Sequence, residues 1–287
     1  MKQKREFKKK IKQRFPYRFS LRDYVKLILK IMYLYCGYIQ VRNYILKQQK
    51  KSLITVLLYH RVNDNLRDTI TVCTDTFQKQ MEYLKKNYNV ISVRELLNRM
   101  KEGRNSDRAV VITFDDCYRD NYENAVPILQ MYQLPACFFI SSSMVGTEKA
   151  FKHDLEIIGH GLPNLKCEDI VEMDKNDFEI GSHTISHPRL SECNEETLCK
   201  EIFNSKKQLE EMIGKEILYF SFPHGKQSDF SEYARDVVKK AKYECNFSAY
   251  GGLNSPRDNV FDIKRIGIPE SPSLTFFKAW IEGWKIT

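Results

Sequence analysis

One alternation constrains this chain more than any other feature. Seven short segments rich in β-branched and aromatic residues recur along it: LITVLLY (53–59), AVVITF (109–114), ACFFIS (136–141), DFEIGS (177–182), ILYFSF (217–222), CNFSAY (245–250) and FDIKRIGI (261–268). Helix-like stretches lie between most of them, among them residues 76–87, 93–103, 196–214 and Asp229–Lys242. Thr74, Ser92 and Asn194 are the predicted N-caps, and Gly103 and Gly214 the predicted C-terminal stops. Short strands alternating with helices predict a parallel sheet, and about seven of them predict an α/β fold of the β/α-barrel type rather than separate sandwich domains.

Charge divides the chain in two. Residues 1–51 carry 16 of the 46 Lys and Arg but only Glu6 and Asp23 of the 37 acids, a net +14. The remainder carries 30 basic and 35 acidic side chains, so the overall +9 describes a tail and not the folded body. A nucleic-acid-binding domain would be basic over its folded surface, and no nucleic-acid partner is expected. We therefore expect a basic arm and amphipathic helix over 1–51 and the barrel over 52–287. Tyr24 to Val41 is mostly apolar or aromatic, interrupted by Lys26 and Lys30. That is too charged for a typical spanning helix and suits one lying in a membrane interface. A soluble helix packed on the domain with its Lys tips outward, or a true span, are the alternatives. The expected partner is an anionic membrane surface.

Eight cysteines show no CxxC pair and no metal-type spacing, and are expected to be small, reduced core residues. The basic stretch is too long for a secretory signal, and no small-residue cleavage site follows an apolar run. The expected location is cytoplasmic, at the inner face of the membrane.

Polar residues gather where predicted strands end. The first strand runs into Tyr59-His60-Arg61, the second into Asp115-Asp116, the fourth into His183 to His187, and the fifth into Pro223-His224-Gly225. The carboxyl ends of barrel strands form one rim, so four of the six histidines and a carboxylate pair are predicted to converge there. Only His153 and His160 fall outside. Adjacent carboxylates leaving a strand point in different directions, so one can bind a cation while the other stays free as a base; capping the next helix is the alternative. His183 and His187 are four apart, a spacing that on a helical turn points both imidazoles the same way; an exposed loop pair is the alternative. Asp116 completes a two-His, one-carboxylate set with positions open to water and substrate.

The ordered motifs LLYHRV, TFDDCY, GSHTISHP, FPHG and KRIGI resemble the polysaccharide deacetylases of carbohydrate esterase family 4, the nodulation-type deacetylase homology domain, over roughly residues 53–270. The resemblance implies a distorted (β/α) barrel and metal-dependent removal of N-acetyl groups from amino sugars. It implies Asp115 as general base and Asp116, His183 and His187 as metal ligands, with Zn²⁺ the expected ion and Co, Ni or Mn as alternatives. The substrate it implies is an N-acetylated envelope or extracellular saccharide, or its lipid-linked precursor.

Three positions depart from the family pattern. Cys117 stands where many members carry Gly, so a left-handed turn there would be strained. The third motif, Ser221-Phe222-Pro223-His224, lacks the usual Tyr and the Arg that normally orients the base; Arg265 is the expected replacement, a surface or ion-paired Arg the alternative. No His follows KRIGI, where many relatives supply the general acid, and His60 and His224 are the candidates for that role. His60 is preferred because LLYHRV resembles the opening strand of relatives acting on poly-N-acetylglucosamine. Tyr59, Pro223, His224 and Arg265 are expected to line or support the pocket. The competing expectation is a catalytically inactive, saccharide-binding, membrane-associated protein on the same fold.

Overall fold

The computed structural model describes residues 21–270 and 273–284; the basic arm expected over 1–20 lies outside them. Seven strands form a curled parallel sheet: β1 (Ile54–Tyr59), β2 (Ala109–Phe114), β3 (Cys137–Ile140), β4 (Glu179–Ser182), β5 (Tyr219–Ser221), β6 (Cys245–Phe247) and β7 (Ile266–Gly267). Their order is β7-β1-β2-β3-β4-β5-β6, with a two-residue strand at Asn89–Val90 beside β2. β1 and β2 pair along their full length, Ile54 opposite Ala109 and Tyr59 opposite Phe114. The strand expected over 261–268 is two separate contacts. Ile263 bridges to Phe247 of β6, and only Ile266 and Gly267 pair with β1, so the chain crosses the gap in the barrel over Lys264 and Arg265.

Strict alternation sorts the strand side chains. Ile54, Val56, Ala109, Val111, Cys137 and Phe139 fill the inside of the curl. Leu57, Tyr59, Val110, Ile112, Phe114 and Phe138 face outward into a second layer of core beneath the helices. Burial on both faces is why these strands read as continuous apolar runs rather than alternating ones.

The helices are α1 (Leu21–Tyr35), α2 (Tyr38–Gln48), α3 (Thr74–Asn87), α4 (Val93–Glu102), α5 (Val126–Tyr132), α6 (Lys152–Ile157), α7 (Cys167–Lys175), α8 (Glu195–Ile213), α9 (Glu232–Lys240) and α10 (Leu274–Ile281). Ser92 caps α4 by accepting from Glu95 N, and Asn194 caps α8 by accepting from Thr197 N. Gly103 and Gly214 end those helices in the left-handed conformation. Thr74 is not a cap but the first residue of α3. The first amides of that helix are satisfied from a distance, Cys73 N by Glu270 and Thr74 N by Asp64.

The N-terminal pair α1–α2 breaks at Gly37, whose φ of 89° few other residues tolerate. The boundary expected at residue 51 falls between α2 and β1, but the pair is packed on the barrel. Leu34 and Ile39 meet Ala279, and Tyr33 donates to Glu282 O. Lys30 does not point outward as the soluble-helix reading had it. It is buried, with Nζ 4.4 Å from the Phe276 ring centre, where cation–π attraction replaces part of its lost hydration. Among the described residues no helix is long and apolar enough to cross a membrane. Three cysteines, Cys117, Cys137 and Cys245, are buried; Cys36 and Cys167 are exposed, so not all eight are core residues.

Candidate active site

The alternation that sorts the core also builds the site. Asp115 continues the inward register of Ala109, Val111 and Thr113, and His183, Ser221 and Arg265 follow the inward register of their own segments. All are sealed from solvent. Arg265 meets Asp115 with two parallel bonds, Nη1 to Oδ1 at 2.7 Å and Nη2 to Oδ2 at 2.6 Å. Its other donors reach Thr113 Oγ1, Ser221 Oγ and Ser248 O, which explains how a guanidinium can be wholly buried. Burial alone would push the Asp115 carboxyl up; Arg265 and His183 outweigh it and hold it below the ordinary range.

Asp116 has the opposite strand parity and would face the outer core. A φ of 79° turns it back to the rim, so the strain expected at Cys117 sits one residue earlier. Left-handed backbone recurs at Thr184 (67°), His187 (60°) and His224 (63°). Such outliers persist where surrounding contacts over-determine them, and four of the eight non-glycine residues with positive φ among the described residues lie at this site.

His183 and His187 do not share a helical turn. They flank a tight loop whose amides are collected by Glu201 of α8: Ile185 N at 2.8 Å and Ser186 N at 2.9 Å both donate to its Oε2, and Ser186 Oγ to its Oε1. Thr184 Oγ1 accepts from His187 N. The loop brings His187 Nε2 to 3.2 Å and His183 Nε2 to 3.8 Å from Asp116 Oδ1. His183 Nδ1 is engaged by Ser221 O at 2.7 Å, which leaves Nε2 as the free donor atom.

These three residues form a group of ligand atoms all within 4.8 Å of one another. Both Asp116 oxygens are buried without a hydrogen-bond partner. An orphaned carboxylate facing two imidazole nitrogens is costly alone and suited to a divalent cation, so the donor set fits one. Burial opposes charge on Asp116, yet His187, His60 and His153 hold it far below the carboxylate range. Burial pushes His183 down to about 4, which keeps its imidazole neutral, the form that ligates.

The remaining expected residues divide. His60, at the end of β1, feels both aspartates: burial pushes it below its ordinary range, and Asp116 and Asp115 oppose that. His224 lies with its ring 5.2 Å from that of His187, and burial lowers it to about 4. Pro223 is buried beside it. Tyr59 is not brought to the site. Its outward parity seals it against Phe77, with its hydroxyl donating to Gln80 at 2.8 Å.

His153 corrects the expectation that it lies off the rim. Its Nε2 is 3.7 Å from Asp116 Oδ2 and 2.7 Å from Tyr118 Oη, and its ring stacks on Phe151. Tyr118 donates to Asp154 at 2.9 Å, and Asp154 pairs with the buried Arg61. The signal was positional: the loop after β3 leaves from the same rim as the others. Glu201 was also missed, although a carboxylate among Leu198, Ile202 and Leu209 on the buried side of a helix is itself a signal.

A sequence profile described as polysaccharide deacetylase matches residues 102–245. The chain is 27% identical over 242 residues to YxkH of Bacillus subtilis, covering 84% of this chain and 80% of that protein. It is 27% identical over 242 residues to the poly-β-1,6-N-acetyl-D-glucosamine N-deacetylase of Staphylococcus aureus, covering 81% and 79%. The structure of the Streptococcus pyogenes deacetylase PplD in complex with acetate superposes with a TM-score of 0.67 at 20% identity, over 80% of this chain and 99% of that one, a likeness of fold.

Proposed function

The chain belongs to the polysaccharide deacetylase family, and from that premise we propose that it hydrolyses N-acetyl groups from amino sugars of an envelope or extracellular saccharide, with a β-1,6-linked N-acetylglucosamine polymer as the first candidate. One observation carries the reading: the orphaned Asp116 carboxylate faces His183 and His187 immediately beside the Asp115–Arg265 pair.

In this reading Asp116, His183 and His187 hold a divalent ion, with Zn²⁺ favoured by two imidazoles and one carboxylate. When bound, such an ion polarises an acetamide carbonyl and makes a water acidic enough to attack at neutral pH. Asp115 accepts the proton of the attacking water at a carboxylate oxygen, and Arg265 fixes that carboxylate in place. His60 delivers a proton to the nitrogen of the leaving amine, the two aspartates offsetting part of the burial that lowers its pKa. The imidazole of His224 flanks the mouth of the site, where a sugar ring would lie. The products are acetate and a free amino sugar.

The test is incubation of the purified full chain with Zn²⁺ and β-1,6-linked N-acetylglucosamine oligomers, read by acetate release and by mass loss per residue. Equimolar acetate and free amine are expected. Tight oligomer binding without acetate would instead mark a binding protein on this fold.

A further inference from the structure

We propose that the solvent-facing side of α1 and α2 is a lipid-docking surface, seated in the headgroup region of an anionic bilayer. The helix α1 is inverted relative to an ordinary surface helix. Every exposed position from Tyr24 to Tyr35 is aliphatic, Met or Tyr: Val25, Ile28, Leu29, Ile31 and Met32 form a continuous stripe, with Tyr24 and Tyr35 at its ends. Its Lys30 is turned inward over Phe276 and Trp284. The second helix exposes Tyr38, Val41, Tyr44 and Ile45, between 47% and 65%, alongside Gln40, Lys47 and Gln48. Scattered exposed apolar residues mean nothing, but a patch of this extent marks a surface that is covered in use.

Chemistry selects the occupant. Residues 1–20, immediately before the stripe, contain nine Lys or Arg against Glu6. Aliphatic residues bordered by Tyr, next to a cluster of cations, match the depth profile of an interfacial helix: acyl boundary, headgroup level, anionic surface. A second copy of the chain would bring two such basic segments to one interface, where they repel.

The anchoring contacts fit this role. Glu282, at the end of α10, binds Arg42, Asn43 and Arg108. Arg108 directly precedes β2, and Asp115 directly follows it. A six-residue strand spans roughly 20 Å, so Arg42 and Asn43 of α2 are held at the end of the barrel away from the catalytic rim.

The experiment is sedimentation of the full-length protein with vesicles of phosphatidylcholine and phosphatidylglycerol at low salt. Wild type is expected to pellet with the vesicles and to bind more weakly, but still detectably, at high salt. The pair Ile28→Glu with Met32→Glu, and separately Tyr38→Glu with Val41→Glu, should each weaken binding by about tenfold or more while leaving molecular mass, melting temperature and acetate release from soluble oligomers unchanged. Failure of wild type to pellet, or variants that bind as wild type does, would overturn the proposal. So would a wild-type dimer that the variants convert to monomer, since that assigns the face to a second copy.

Discussion

Arg265 holds Asp115 through both terminal nitrogens, although 150 positions separate the two in the chain. The pair joins the end of β2 to the point where the chain crosses from β6 to β7, so the closure of the barrel and the placement of the carboxylate are one event. Removing one member of a buried pair leaves the other charged and unmatched, at a cost of about 3–5 kcal/mol. We expect Arg265→Gln to lower the melting temperature by roughly 10 °C.

The same variant reports on Asp115 directly. Arg265 lowers the Asp115 pKa, so its loss raises it, and the carboxylate becomes an acceptor only at higher pH. The acid limb of the kcat profile should move to higher pH in Arg265→Gln while bound metal is retained. An unmoved limb would show that Asp115 does not carry the titration that matters.

Glu201 is predicted to act on metal affinity without touching the metal. It collects two amides and one hydroxyl of the loop between His183 and His187. Glu201→Gln keeps the shape but removes the charge and one acceptor oxygen. Metal affinity should fall by roughly 10- to 100-fold, as for other supports behind metal ligands, with kcat restored at saturating metal. Unchanged affinity by metal titration would show that the loop holds itself.

His183 should make the metal-free protein sensitive to acid. Burial holds its folded pKa at about 4, against an ordinary value near 6.5 in the unfolded chain. The unfolded state therefore takes up the proton first, and stability present above the unfolded pKa is lost as pH falls from about 6.5 to 4. The difference amounts to on the order of 3 kcal/mol. Urea unfolding of metal-free protein should show this loss, and His183→Asn should lack that part of it.

Much of the architecture was legible because its cause is local. Two-sided burial writes itself into AVVITF and LITVLLY as unbroken apolar runs, and Asn194 and Gly214 mark a helix by chemistry that needs no tertiary partner. What was illegible depended on parity and on distant partners. Tyr59 and His60 are adjacent, yet only one can face inward, and the register that decides it is set by pairing with β2. The turn at Asp116 puts the left-handed residue where the sequence gives no glycine. His153 needs the long loop after β3 to fold back through Tyr118, Asp154 and Arg61, whose positions in the chain are unrelated. The inward Lys30 required α10, some 250 residues later, to supply the ring it lies on.

The central claim is that two adjacent aspartates divide the work, Asp116 holding the ion and Asp115 moving the proton. Bound Zn²⁺ per protein in Asp115→Asn and Asp116→Asn, measured beside acetate release on the same samples, tests it most directly. Asp115→Asn should keep its metal and lose roughly 10²–10⁴-fold in kcat. Asp116→Asn should lose metal, since a neutral amide is a poor third ligand, and excess Zn²⁺ should partly restore its activity. The reverse pattern would mean the roles are exchanged, and two variants with full metal and full activity would mean that the pair only shapes the turn into the following helix.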